Sequence, residues 1–273
     1  NDDSGILRYV RIEFAGALYS PEDELNGLAL QGVGRGTVID HLQLHVLADD
    51  GIEFFGGTVD VRHVAVTGAN DDSFDWTGGW QGTAQFVVLQ QHPDSGDRGI
   101  EADNNEDDHD AVPRSEPLLS NLTVIGRDGG PNGLLFRRGT GVQVSNSIVT
   151  NFDVCVDVQD DPTWENGYAG SVPTGNLSLR GTWFDCPSPY SEGAWSTHTV
   201  EALLTVDNPA NVFDDPLLVS PTDPDSPDFR LASTSGALTG GLSMPLGFDD
   251  VPFVGAFDDT EDWTAGWTTT GSN

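Results

Sequence analysis

Ile39-Asp40-His41-Leu42-Gln43-Leu44 returns 22 residues later as Val61-Arg62-His63-Val64-Ala65-Val66. Asp49-Asp50-Gly51-Ile52-Glu53-Phe54 returns at the same interval as Asp71-Asp72-Ser73-Phe74-Asp75-Trp76. The Gly56-Gly57 pair comes back as Gly78-Gly79, so both halves belong to one unit held in one register. The pattern continues in both directions. Downstream, Gln85-Phe86-Val87-Val88 repeats the first half, and Arg98-Gly99-Ile100-Glu101-Ala102 repeats the second after a short insertion around 92–96. Upstream, Tyr9-Val10-Arg11-Ile12 and Asn26-Gly27-Leu28-Ala29-Leu30 match the same halves. Asn121-Leu122-Thr123-Val124 with Asn132-Gly133-Leu134-Leu135-Phe136, then Val144 to Val149 with Val154-Cys155-Val156, then Leu177 to Cys186, continue the series.

Each unit is two or three short alternating runs between Gly, Asn or Asp turns, and alternation means strand. A unit of 22 residues leaves no room for a helix and cannot bury its own apolar face, so neighbouring units must stack. The fixed leucine and asparagine pattern of leucine-rich repeats is absent, and a β-propeller blade needs about twice the period. The reading is an all-β, right-handed parallel β-helix, a solenoid of about 22-residue coils, with Ile52, Phe54, Phe74, Trp76, Ile100, Leu134 and Phe136 pointing inward. Coils are expected over 1–186, with a polar insertion loop at 103–117. The region 187–273 is expected to hold the last rungs, Phe229-Arg230-Leu231 among them, and an irregular C-terminal cap carrying Val254 to Phe257 and Trp263 to Thr268.

The 273 residues carry 44 Asp and Glu against 11 basic residues, all arginine, for a formal charge of −33. Such a surface repels nucleic acid and anionic lipid heads, attracts divalent cations, and tolerates high salt because screening relieves its self-repulsion. No stretch is long and apolar enough to span a bilayer. Asn1-Asp2-Asp3 is unlike a signal peptide and strand-like sequence starts at Ile6, as expected of a trimmed mature protein or of a piece of a longer chain. Cys155 and Cys186 have no metal-like spacing; a disulfide between neighbouring coils and a pair of buried thiols are the two readings open.

Ser4-Gly5-Ile6-Leu7-Arg8-Tyr9-Val10-Arg11-Ile12-Glu13, Asp49 to Gly57, Asp71 to Trp76 and the ending from Gly255 to Thr268 together resemble a family of secreted and lipoprotein right-handed parallel β-helix proteins of marine and environmental bacteria, of the pectate-lyase-like superfold. The resemblance covers nearly the whole chain. It implies the fold, a location outside the cell or on its surface, and further coils ahead of this segment in other members, and it leaves the activity open.

The register makes chemical predictions. Residues in step on successive coils lie about 4.8 Å apart. Glu53, Asp75 and Glu101 should therefore form one outward column of carboxylates, with Asp50 and Asp72 as a second column at the preceding turn and Asp49 and Asp71 beside them. Like charges that close must be solvated, protonated or bridged by a cation, and an oxygen-only ligand set suits Ca²⁺. Asp107 to Asp110 form a second acidic cluster in the insertion loop. His41 and His63 should stack at a turn but lack a third metal ligand, and Asn121 and Asn146 should join an asparagine ladder.

Two functions follow from this arrangement. One is a non-enzymatic extracellular scaffold (a surface, matrix or fibre protein), Ca²⁺-stabilised and able to stack head-to-tail into a homo-oligomer or filament. The other is a carbohydrate-active enzyme, a Ca²⁺-dependent polysaccharide lyase or glycoside hydrolase, working through Asp71, Asp72, Asp75, Arg98 and Glu101 with Arg98 as base. The scaffold is the favoured reading.

Overall fold

The computed structural model describes residues 2–17, 19 and 25–271. Long and short strands alternate along the chain: β1 (Ile6–Glu13) and β2 (Leu28–Gln31), β3 (Val38–Leu47) and β4 (Ile52–Phe55), β5 (Asp60–Ala69) and β6 (Phe74–Thr77). They continue as β7 (Thr83–Gln90) and β8 (Arg98–Ala102), then β9 (Leu118–Ile125) and β10 (Asn132–Phe136). The next coil splits its long strand into β11 (Val142–Ser145) and β12 (Ile148–Thr150) before β13 (Val154–Val158). Long strands pair in parallel with long ones and short with short, which makes two stacked parallel sheets of a right-handed β-helix. Ile39 faces Val61 and Phe54 faces Trp76, the register expected from the repeat. Leu177–Arg180 and Trp183–Asp185 extend the long sheet, and Ser188–Tyr190 the short one.

The interior is apolar and, at its centre, aromatic. All seven residues predicted to point inward are buried, and Phe54, Phe74, Trp76 and Trp80 pack ring against ring between 3.9 and 6.2 Å. Trp80 donates its indole N–H to the carbonyl of Val59 and Trp76 donates to Thr140 Oγ1, so neither polar edge is left unmet. Beyond the last coil the short helix Val200–Thr205 turns Val200, Leu203 and Leu204 into the same core. Cys155 and Cys186 are joined by a disulfide that ties β13 to the coil after it.

At one shared place in the register the backbone takes positive φ: Tyr9, His41, His63, Phe86 and Asn121 in successive coils, then Asn146 and Gly181 just past their strands; Val46 and Gly68 give β3 and β5 a second such residue. Side chains other than Gly and Asn resist this conformation at about 1–2 kcal/mol each. Stacking offsets part of that cost, with ring centroids 4.4 Å apart for Tyr9–His41, 4.3 Å for His41–His63 and 5.2 Å for His63–Phe86. The expected histidine stack and asparagine ladder are thus one continuous column.

The C-terminal region runs back along the solenoid flank. Phe229-Arg230-Leu231, expected as a late rung, sits instead in an antiparallel pair of Leu218–Ser220 with Asp228–Leu231, because the Pro- and Asp-rich turn between them reverses the chain. From there a strap passes back over successive coils. Asn146 brackets the amide and carbonyl of Leu242, Gln85 those of Asp249 and Gln43 those of Thr269. Asn121 donates to the carbonyl of Phe253, and Thr123 Oγ1 accepts from the amide of Ala256. Underneath, the outward apolar residues Ala65, Val88 and Ile125 are covered by Phe229, Ala256 and Phe257, and Ile148 by Leu231, Ala237 and Val254.

Candidate metal centre

The short-strand sheet carries the acidic face. Its outward positions run Ala29, Glu53, Asp75, Glu101, Leu135 and Asp157 in strict register, so the predicted three-carboxylate column exists. It is less solvated than an outward column should be. Glu101 is only 8% exposed, and Asp75 Oδ1 is buried with no hydrogen-bond partner. The second column lies deeper, with Asp50 7% and Asp72 4% exposed. Both act locally on the backbone. Asp50 Oδ1 accepts from the amide of Asp72 at 3.0 Å and Asp72 Oδ1 from the amide of Arg98 at 2.7 Å, so each turn carboxylate caps the coil that follows. Asp49 is half-buried and Asp71 exposed at the same turns.

The crowding raises proton affinity throughout. Burial, followed by the charges of Asp72, Asp49 and Glu53, pushes the Asp50 carboxyl up to about 9. Burial with the charges of Glu101 and Asp71 pushes Asp72 up to about 8. Glu53 rises to about 7, mainly by burial, against a hydrogen bond donated by Asn26. Asp75 goes well above the usual carboxylate range, through burial first and then Asp50, Glu53, Asp72 and Glu101.

Arginines neutralise one end of the column and not the other. Arg98 and Arg137 both pair with Glu101, and Arg98 also binds Asp97. Arg137 and Arg138 hold Asp103, at 2.9 and 2.8 Å. Arg98, expected as a free base, is therefore committed to carboxylates on its own face. Asp103 is a buried member of this network, whereas its polar surroundings in sequence assign it to the insertion loop. At the other end Asp50, Glu53 and Asp75 face one another, and among the described residues no arginine forms an ion pair with them.

Ligand atoms of Asp50, Glu53 and Asp75 lie within 4.8 Å of one another, as do those of Asp72, Asp75 and Glu101, of Asp49, Asp50 and Asp71, and of Asp71, Asp72 and Asp97. These clusters have the geometry to hold a metal ion, and every donor is an oxygen, the set hard cations prefer. Asp97, left out of the expected ligands, follows the insertion directly and stands level with Asp71, whose carbonyl accepts from its amide. The loop carboxylates Asp107, Asp108 and Asp110 form no such group among the described residues; Asn105 caps the amides of Asp107 and Asp108, and Asp110 pairs with Arg114. His41 and His63, expected to lack a third ligand, gain one in Asp40, whose Oδ1 lies 2.9 and 2.8 Å from their Nδ1 atoms; the three are close enough to hold a metal ion.

A family model described as a pectate-lyase-like β-helix domain matches residues 1–210. The chain belongs to this family. Among solved structures, the crystal structure of pectate lyase Pel9A is similar at 12% identity and a TM-score of 0.45, covering 91% of this chain and 69% of that one. None of the curated proteins matches. Among the described residues no helix is long and apolar enough to cross a membrane.

Proposed function

We propose that this chain is a non-enzymatic extracellular β-helix scaffold whose acidic short-strand face binds Ca²⁺. The observation that carries the reading is Asp75 Oδ1, a buried carboxylate oxygen without a partner where the carboxylates of Asp50, Glu53, Asp72 and Glu101 converge. An unmet buried charge of this kind costs several kcal/mol, and protonation or a bound cation are its two remedies. Asp50, Glu53 and Asp75 would hold the ion, with Asp72 from the coil of Asp75 and Glu101 from the next completing the set. The ion would supply charge neutralisation that locks three coils in register. The Cys155–Cys186 disulfide suits an oxidising compartment, which supports a place outside the cell.

A polysaccharide-active reading has one observation in its favour: Arg98, Arg137 and Arg138 line the same face, and a cation beside arginines suits the carboxylate of an acidic sugar. The ion pairs that occupy all three guanidinium groups weigh against it. Two assays separate the readings. Melting with calcium and with EDTA should show a calcium-dependent rise in Tm at both low and high salt; an unchanged Tm would refute the calcium scaffold. Uronate polysaccharides incubated with the calcium-loaded protein should give no absorbance from unsaturated products, and a sustained increase lost in Arg98→Ala would replace the scaffold with a lyase.

A further inference from the structure

On the opposite flank, where the strap crosses the aromatic column, lies a cavity of about 250 Å³. Its walls are rings: His63 and Phe86 from the solenoid, Phe253, Phe257 and Trp263 from the strap. Phe257 and Trp263 stack in parallel at 4.9 Å, and Trp263 meets His63 edge-on at 5.4 Å. Three carboxylates, Asp249, Asp258 and Glu261, also line it, with Val251 and Ala256 between the rings.

We infer that this cavity is a binding site for a small, weakly hydrated organic cation of the quaternary ammonium class. Ring faces attract such cations through their quadrupoles, and the cation sheds its loosely held water cheaply. The carboxylates add charge complementarity from the rim. They do not gather into a metal-ligating group among the described residues, so the charge is spread around the rings as a diffuse cation requires and a metal ion does not. The other polar groups are already engaged. Asp249 pairs with Arg62, His63 Nδ1 bonds Asp40, and Asp258 accepts from the amides of Thr260 and Glu261. Arg62 already sits over the Phe86 ring at 5.8 Å and neutralises Asp249, so the charge left for a ligand is that of Asp258 and Glu261, beside the rings of Phe257 and Trp263; an anion would meet those two carboxylates, and a neutral sugar would find little directional bonding. The site owes nothing to the acidic short-strand face and stands whether or not that face binds calcium.

The test is calorimetric titration of the full chain at low ionic strength, first in EDTA and then in excess calcium, with choline and with its neutral isostere 3,3-dimethylbutan-1-ol. Choline should bind once per chain, and the isostere about tenfold more weakly or worse. Glu261→Gln, which keeps shape and removes one charge, should weaken choline about threefold or more, and Trp263→Leu further. Equal binding of choline and the isostere would reduce the site to an apolar pocket and overturn the inference. Failure of choline to bind at millimolar concentration would do the same, as would affinity unchanged by Glu261→Gln. Competition by calcium would reassign the cation to the acidic face.

Discussion

Replacing Asp50 by Asn should stabilise the metal-free protein and remove much of its response to calcium. Asparagine keeps the shape and the Oδ1 acceptor that caps the amide of Asp72, so only the charge and its proton are lost. In the metal-free chain Asp50 titrates near 9 against an ordinary value of 3.8. Keeping it protonated at pH 7, where the unfolded chain would ionise it, costs about 1.4 kcal/mol for each of roughly three pH units, an upper limit of about 4 kcal/mol. Neighbouring carboxylates share the load, so about 2 kcal/mol should be recovered by the substitution, or a Tm roughly 4 °C higher in EDTA. With calcium the order should reverse, because one ligand and one charge are gone. The assay is a pair of melts for each protein, followed by circular dichroism in EDTA and in excess calcium. A lower Tm for Asp50→Asn in EDTA would refute the idea that crowded charge is the main cost at this site. A calcium shift equal to that of the natural chain would show that the ion sits elsewhere.

Other consequences are as direct. Because Asp50 and Asp72 are raised to about 9 and about 8, stability of the metal-free protein should be greatest at mildly acidic pH and fall as pH climbs from about 4 to about 9; saturating calcium should flatten the fall, and denaturation midpoints across that range measure both. Cys186→Ser opens a link spanning 31 residues, and chain-entropy reasoning gives a loss of about 3.5 kcal/mol, read as a Tm roughly 10 °C lower. Asn146→Ala strips the bracket from Leu242 and should cost about 1–3 kcal/mol in denaturant midpoint, while Gln143→Ala, at an exposed position on the same coil, should cost almost nothing.

The solenoid could be read from sequence because it is written in period. One spacing placed Ile39 over Val61, Glu53 over Asp75 and His41 over His63, and stacking turned each coincidence into a contact. The carboxylate column was legible for the same reason. Its burial was not, since that depends on Arg98, Arg137 and Asn26 leaning over the face, and long side chains obey no register. Asp103 was assigned to a loop because the polar residues after it hid its position at the end of a strand. The strap lay furthest from view. Gln43 meets Thr269 across 226 residues and Gln85 meets Asp249 across 164, and no local pattern encodes a partner at such a distance. Sequence marked Gly255 to Thr268 as irregular and anchored, but only the fold says what the anchors hold.

That strap changes the kind of object the molecule is. A bare stack of coils behaves as a row of dominoes, each unit feeling only its neighbours, so the ends can peel and partial structures persist. Here one segment grips coils from the second through the sixth, and no middle coil can leave without tearing brackets on the others. The row becomes a bound book, whose pages come loose together or not at all. The chain gains from that arrangement a single, late point of failure.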